Sequence, residues 1–113
     1  MGLNLNNKRF VTLNNRKGLA SNETVFQYYQ NGKTITGSYK GGAIVEGLIV
    51  GKQIGDNKIQ LLYQCLTDQG ELKAGQSTGI VLKNAENKLE LKFEWNWING
   101  TLTAGHSEYI EIE

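Results

Sequence analysis

Proline is absent from the 113 residues, and cysteine and histidine occur once each. One thiol can make neither an internal disulfide nor a thiolate cluster, so no covalent or metal staple holds this chain together. Cys65 reads instead as a small buried hydrophobe. A lone histidine cannot build a His-rich metal site, and no metal or cofactor is expected. An excess of one charge is missing too: 12 Lys and Arg stand against 11 Asp and Glu. That balance removes the usual electrostatic basis for binding nucleic acid. No apolar run reaches the roughly 18 residues of a membrane span, and Met1–Asn7 lacks the apolar core of a secretory signal. The expectation is a cytoplasmic protein with no membrane partner. No glycine-rich phosphate loop leads into a helix, and Gly75-Gln-Ser-Thr-Gly79 has the spacing of a nucleophile elbow only within a strand.

What the chain does have is glycine, 14 of them, set between runs rich in Val, Ile, Thr, Tyr, Phe and Trp. Short strands joined by tight turns have this composition. Strands are expected at Arg9–Asn14, Thr24–Gln30, Lys33–Lys40, Ala43–Gln53, Lys58–Thr67, Glu71–Lys83, Lys88–Ile98 and Thr101–Ile112. The turns between them fall at Asn31-Gly32, Gly41-Gly42, Gly55-Asp56-Asn57, Gln69-Gly70, Glu86-Asn87 and Asn99-Gly100. Asn-Gly suits a two-residue hairpin loop because its backbone needs positive φ. Gly70–Ser77 and Gly100–Ser107 share five of eight residues, a faint repeat of one hairpin unit. The fold class is therefore all-β: an up-and-down antiparallel meander of about eight strands. With no helix to cover its edges, such a sheet is expected to close, or nearly close, into a barrel. One domain over 1–113 is expected, with 1–8 a flexible N-terminus and the polar loop Asn15–Glu23 a candidate lid.

Register decides facing, because side chains alternate along a strand. With two-residue loops, Asn99-Gly100 pairs Trp95 with Ala104, Phe93 with His106 and Leu91 with Glu108. Gln69-Gly70 pairs Cys65 with Ala74, Tyr63 with Gln76 and Leu61 with Thr78. Gly41-Gly42 pairs Tyr39 with Ile44, Gly37 with Glu46 and Ile35 with Leu48, and Asn31-Gly32 pairs Tyr28 with Ile35. The expected interior is apolar and aromatic (Phe26, Tyr28, Ile35, Tyr39, Leu48, Leu61, Tyr63, Leu91, Phe93, Trp95), with Glu46, Gln76, Thr78, His106 and Glu108 among them. Tyr28, Tyr39, Glu46, Tyr63, Gln76, Thr78, Trp95, His106 and Glu108 are then the candidate ligand-binding residues of a lumen. Two inward carboxylates need partners, so the cluster reads as a satisfied network, as a small-molecule site, or as acid and base for catalysis. Gly75, Ser77, Gly105 and Ser107 fall on the outside, where they would leave a shallow groove for a second subunit of a homo-oligomer.

The segments Gly37–Gly47, Phe93-Glu-Trp-Asn-Trp97 and Ala104-Gly-His-Ser107 resemble a family of small bacterial proteins that often carry the label N-acetylglutamate synthase. The resemblance runs from Phe10 onward and implies acetyl transfer to glutamate. A GNAT-type acetyltransferase, however, is a mixed α/β fold with a pyrophosphate loop opening a helix, and neither is legible here. At the level of fold the meander resembles the calycin-like barrels (lipocalins, fatty-acid-binding proteins, avidins), which implies a small ligand in the lumen.

Overall fold

The computed structural model describes residues 4–15, 23–98 and 104–112. Eight strands make up the fold: β1 (Lys8–Asn15), β2 (Val25–Asn31), β3 (Thr34–Gly41), β4 (Ile44–Gln53), β5 (Lys58–Thr67), β6 (Leu72–Lys83), β7 (Leu89–Trp97) and β8 (Ala104–Ile112). They pair in chain order, every pair antiparallel, and β8 returns to β1 to close the barrel. The expected up-and-down barrel is thus the observed one, and β5 occupies the residues the sequence assigns it. Closure leaves no sheet edge unpaired.

The turns explain where register departs from expectation. Between β2 and β3 the loop is Gly32-Lys33, not Asn31-Gly32, with Gly32 at φ 64°. Moving a two-residue loop by one position slides the pairing by two, so Tyr28 meets Gly37 and every side chain keeps its face. Elsewhere one extra residue enters. The β5–β6 loop holds three residues, Asp68-Gln69-Gly70, with the Gly70 N–H donating to the Thr67 carbonyl at 3.0 Å and Gly70 at φ 78°. That is a type I turn completed by a left-handed glycine. In β4 the pairing to both neighbours shifts, between Tyr39 and Gly41 on β3 and between Ile44 and Glu46 on its β5 side, the mark of a bulge. Between β7 and β8, Trp95 meets Gly105 rather than Ala104, and the turn itself, Asn99-Gly100, lies outside the described residues. Each single-residue change reverses the faces of the strand that follows.

Inward-facing side chains fill the barrel by pairing large with small. A Cβ on Gly47 would stand 2.5 Å from the Tyr39 ring, and one on Gly75 would stand 2.7 Å from the Tyr63 hydroxyl. Gly47 is required by close approach of a ring alone, and Gly75 by a ring together with the Asn96 carbonyl oxygen, 2.8 Å from the same Cβ position. The end of the barrel carrying the β2–β3, β4–β5 and β6–β7 turns, here the lower end, is packed with Leu5, Phe10, Ile35, Ile59 and Leu91, all fully buried. The segment before β1, expected as flexible, is folded onto this end from residue 4. The Leu5 N–H donates to Gln30 Oε1 at 2.8 Å, the Gln30 N–H donates to Asn6 Oδ1 at 3.1 Å, and the Leu5 side chain plugs the core.

Candidate functional site

Three of the nine expected lumen residues, Tyr28, Tyr39 and Trp95, are buried inside the barrel, and Tyr63 is half-buried there. The other five are corrected. Glu46, Gln76, Thr78 and His106 are exposed on the outer wall, and Glu108 stands opposite the exposed Lys92, on the outer wall as well. The bulge in β4, the three-residue β5–β6 loop and the slipped β7–β8 pairing turned them outward. Leu48, expected inside, is 52% exposed for the same reason. Glu46 on β4 and His106 and Glu108 on β8 are four strands apart in a ring of eight, on opposite sides of the barrel. The acid–base cluster does not assemble. The candidate lid lies largely outside the described residues.

The same reversal brings in what was expected outside. Gly75, Ser77 and Ser107 face the interior, with Ser77 and Ser107 buried, and Gly105 pairs with the buried Trp95. Interior polarity is concentrated at the upper end. Trp95 Nε1–H donates to Ser107 Oγ at 2.7 Å, and the Ser107 hydroxyl also hydrogen-bonds Tyr109. Tyr39 donates to the Cys65 sulfur. Lys73 stands opposite Cys65 on the inward-facing row, half-buried, where its charge acts on the thiol. At the rim, Thr24 Oγ1 donates to the Gly41 carbonyl at 3.0 Å, and Thr67 Oγ1 accepts the Glu71 N–H at 3.1 Å.

Aromatic rings line this region. Phe26 stacks on Tyr39 with centroids 4.9 Å apart and an interplanar angle of 14°, and meets Tyr109 at 4.8 Å. Phe93 meets Tyr109 edge-on at 5.8 Å. Burial raises the pKa of Tyr28, Tyr39, Tyr63 and Tyr109 above that of a free phenol, so all four are neutral at physiological pH and keep a proton to donate. Burial also raises the Cys65 thiol, which the Tyr39 hydrogen bond and the Lys73 charge only partly offset, so this cysteine is not an activated nucleophile. The upper interior thus gathers aromatic rings and hydroxyl donors in one place. Ser77, Ser107, Tyr109 and Lys73 were missed by the sequence reading. The repeat Ala-Gly-x-Ser, which carries Ser77 and Ser107 at equivalent places, was the available signal for two of them.

A closed eight-stranded meander with a sealed lower end and a polar, aromatic upper interior defines a calycin-type barrel. Within that class the assignment is narrower. The avidin-like protein family matches over residues 3–112, and the chain belongs to that family. Apo shwanavidin has the same fold, with a TM-score of 0.68 at 13% sequence identity over 96% of each chain. No curated protein sequence matches the chain.

Proposed function

We propose that the chain binds a small molecule in the upper half of the barrel interior. The observation that carries this reading is the segregation of the interior. Apolar side chains fill the lower end, while tyrosine and serine hydroxyls, an indole and the Lys73 ammonium share the upper one. A purely structural core has no need of such a gradient, since each buried polar group adds a desolvation cost that only a partner offsets. Avidin-like barrels typically bind small ligands such as biotin, which supports the reading and names the first compound to try. Tyr39, Tyr63 and Trp95 are the proposed ring and hydroxyl contacts, and Lys73 suits a ligand that carries a carboxylate.

Calorimetric titration with biotin, followed by a panel of small heterocyclic carboxylic acids, tests this. At a free concentration one hundred times Kd the ligand should add about 2.7 kcal/mol to folding stability, a rise in Tm on the order of 10 °C for a domain of this size. Tyr63→Phe keeps the ring and should weaken binding about tenfold, the worth of about one hydrogen bond. No heat and no Tm shift with any compound at millimolar concentration would sink the proposal.

A further inference from the structure

Among the described residues, Thr12 Oγ1 is the one buried side-chain polar atom without a hydrogen-bond partner. Thr12 lies on β1 two residues beyond the fully buried Phe10, and Leu13 beside it is 53% exposed, so the Thr12 side chain faces the interior. Its cross-strand neighbour on β8 is Tyr109. Around it the polar side chains are matched: Trp95 Nε1–H with Ser107, Ser107 with Tyr109, and Tyr39 with Cys65. Buried polar groups are ordinarily hydrogen-bonded, so an exception calls for a partner that the chain does not supply, a ligand atom or a water.

A row of rings joins this hydroxyl to the charge in the upper interior. Phe26 meets Tyr109 at 4.8 Å and stacks on Tyr39 at 4.9 Å. Tyr39 donates to the Cys65 sulfur, and Cys65 pairs with Lys73 across β5 and β6. Every aspartate and glutamate among the described residues lies on the outer wall, in a connection between strands or at the lower rim. Asp68 and Glu71 are exposed in the connection above Lys73. An ammonium on the inner wall with no inward carboxylate favours an anionic group on the ligand.

We propose, on the reading that the upper interior is a ligand site, that its ligand is a small aromatic acid with an oxygen at the end opposite its carboxylate. Lys73 takes the carboxylate at the upper mouth, the ring lies against the row of Tyr39, Phe26 and Tyr109, and the Thr12 hydroxyl hydrogen-bonds the far oxygen. Thr12 is then the residue that selects among acids of similar shape. A hydroxyl desolvated without a partner is a cost to folding, and a ligand oxygen removes it.

Three compounds test both poles. 4-Hydroxyphenylacetate and phenylacetate share a ring and a carboxylate and differ by the far oxygen; 4-hydroxyphenylethanol keeps that oxygen and lacks the charge. Calorimetric titration of the full chain should find 4-hydroxyphenylacetate about tenfold tighter than either of the others, the worth of about one hydrogen bond. Thr12→Val, of nearly the same shape, should abolish the preference over phenylacetate, and Thr12→Ser should keep it. Lys73→Met should abolish the preference over the alcohol. With no compound added, Thr12→Val should melt at or above the wild-type temperature, because a methyl replaces an unpartnered hydroxyl. A hydroxyl held by an ordered water would be missed instead, and the variant would melt lower. Equal affinity for the two acids, a preference that survives Thr12→Val, or that lower melting temperature overturns the role of Thr12. Equal affinity for the acid and the alcohol overturns the role of Lys73. No heat from either acid at millimolar concentration overturns the ligand class, and the interior site then rests on biotin and the wider panel, so the two readings fail separately.

Discussion

The two ends of the barrel interior are made from the same strands and do opposite things. At the lower end inward positions carry Ile, Leu and Phe, and the plug of Leu5 completes a core with no exposed apolar atoms to speak of. At the upper end the same alternation supplies Tyr39, Cys65, Ser77 and Ser107, interleaved with the glycines that let the rings approach. Packing and hydrogen bonding are thereby divided along the barrel axis: one end excludes water by close packing, the other keeps hydrogen-bonding groups oriented by their neighbours. Glycine at positions 47 and 75 lowers strand propensity, so the upper end relies on the lower for its rigidity.

The contrast can be broken from either side. Leu91→Ala at the lower end should have the largest effect, a loss of about 2–5 kcal/mol for a fully buried leucine in a packed core, read as a lower urea midpoint. Ser107→Ala at the upper end should cost about 1–3 kcal/mol, because the buried Trp95 N–H loses its acceptor, and should red-shift or broaden the tryptophan emission while Leu91→Ala does not. The smallest effect is the acid limb of stability. Burial by itself would raise the Glu111 carboxyl, but the Leu89 N–H at 3.0 Å and the Lys8 ammonium at 3.3 Å outweigh it, and its pKa is lowered. The unfolded chain then binds the proton more readily than the folded one. Stability from this contact is present above the unfolded carboxyl's pKa of about 4.3 and is lost as pH falls below it. The glutamine variant Glu111→Gln should flatten that limb in denaturation midpoints measured from pH 3 to 6. The buried tyrosines act in the opposite sense: with pKa values raised on folding, their contribution is intact below about pH 10 and lost above it.

The strands, their order and the closure were legible because glycine-bearing turns and alternating runs are local signals, and each was strong enough to be read by itself. Facing was not, because it depends on counting residues across a turn. Gly32 as first loop residue in place of Asn31 moved the pairing but spared the faces, so Phe26, Tyr28 and Ile35 were placed correctly. The third residue of the Asp68–Gly70 loop and the bulge beyond Ile44 each altered the count by one, which sent Gln76, Thr78 and Glu46 outward and drew Ser77 and Gly47 in. Nothing in the composition of those turns distinguishes two residues from three. The pairing of large with small did leave a trace, since an interior that accepted Gln76 and Glu46 had to find partners for buried polar groups, while Gly75, the small residue that the Tyr63 ring needs beside it, sat outside. A check of volume and polarity against each candidate register would have favoured the one observed.

Seven of the eight strand pairings join neighbours in sequence, and the eighth, with Arg9 opposite Ile112, joins residues about a hundred apart. Closing a loop of that length costs on the order of 4 kcal/mol in chain entropy, and no part of the seam forms before β8 exists. A chain with β1 to β7 paired and β8 not yet in place would present two naked borders, β1 on one side and β7 on the other. Each border is a template for pairing with another nascent chain. The nine residues of β8, Ala104–Ile112, pair with both borders at once, so one strand removes every template for edge-to-edge association.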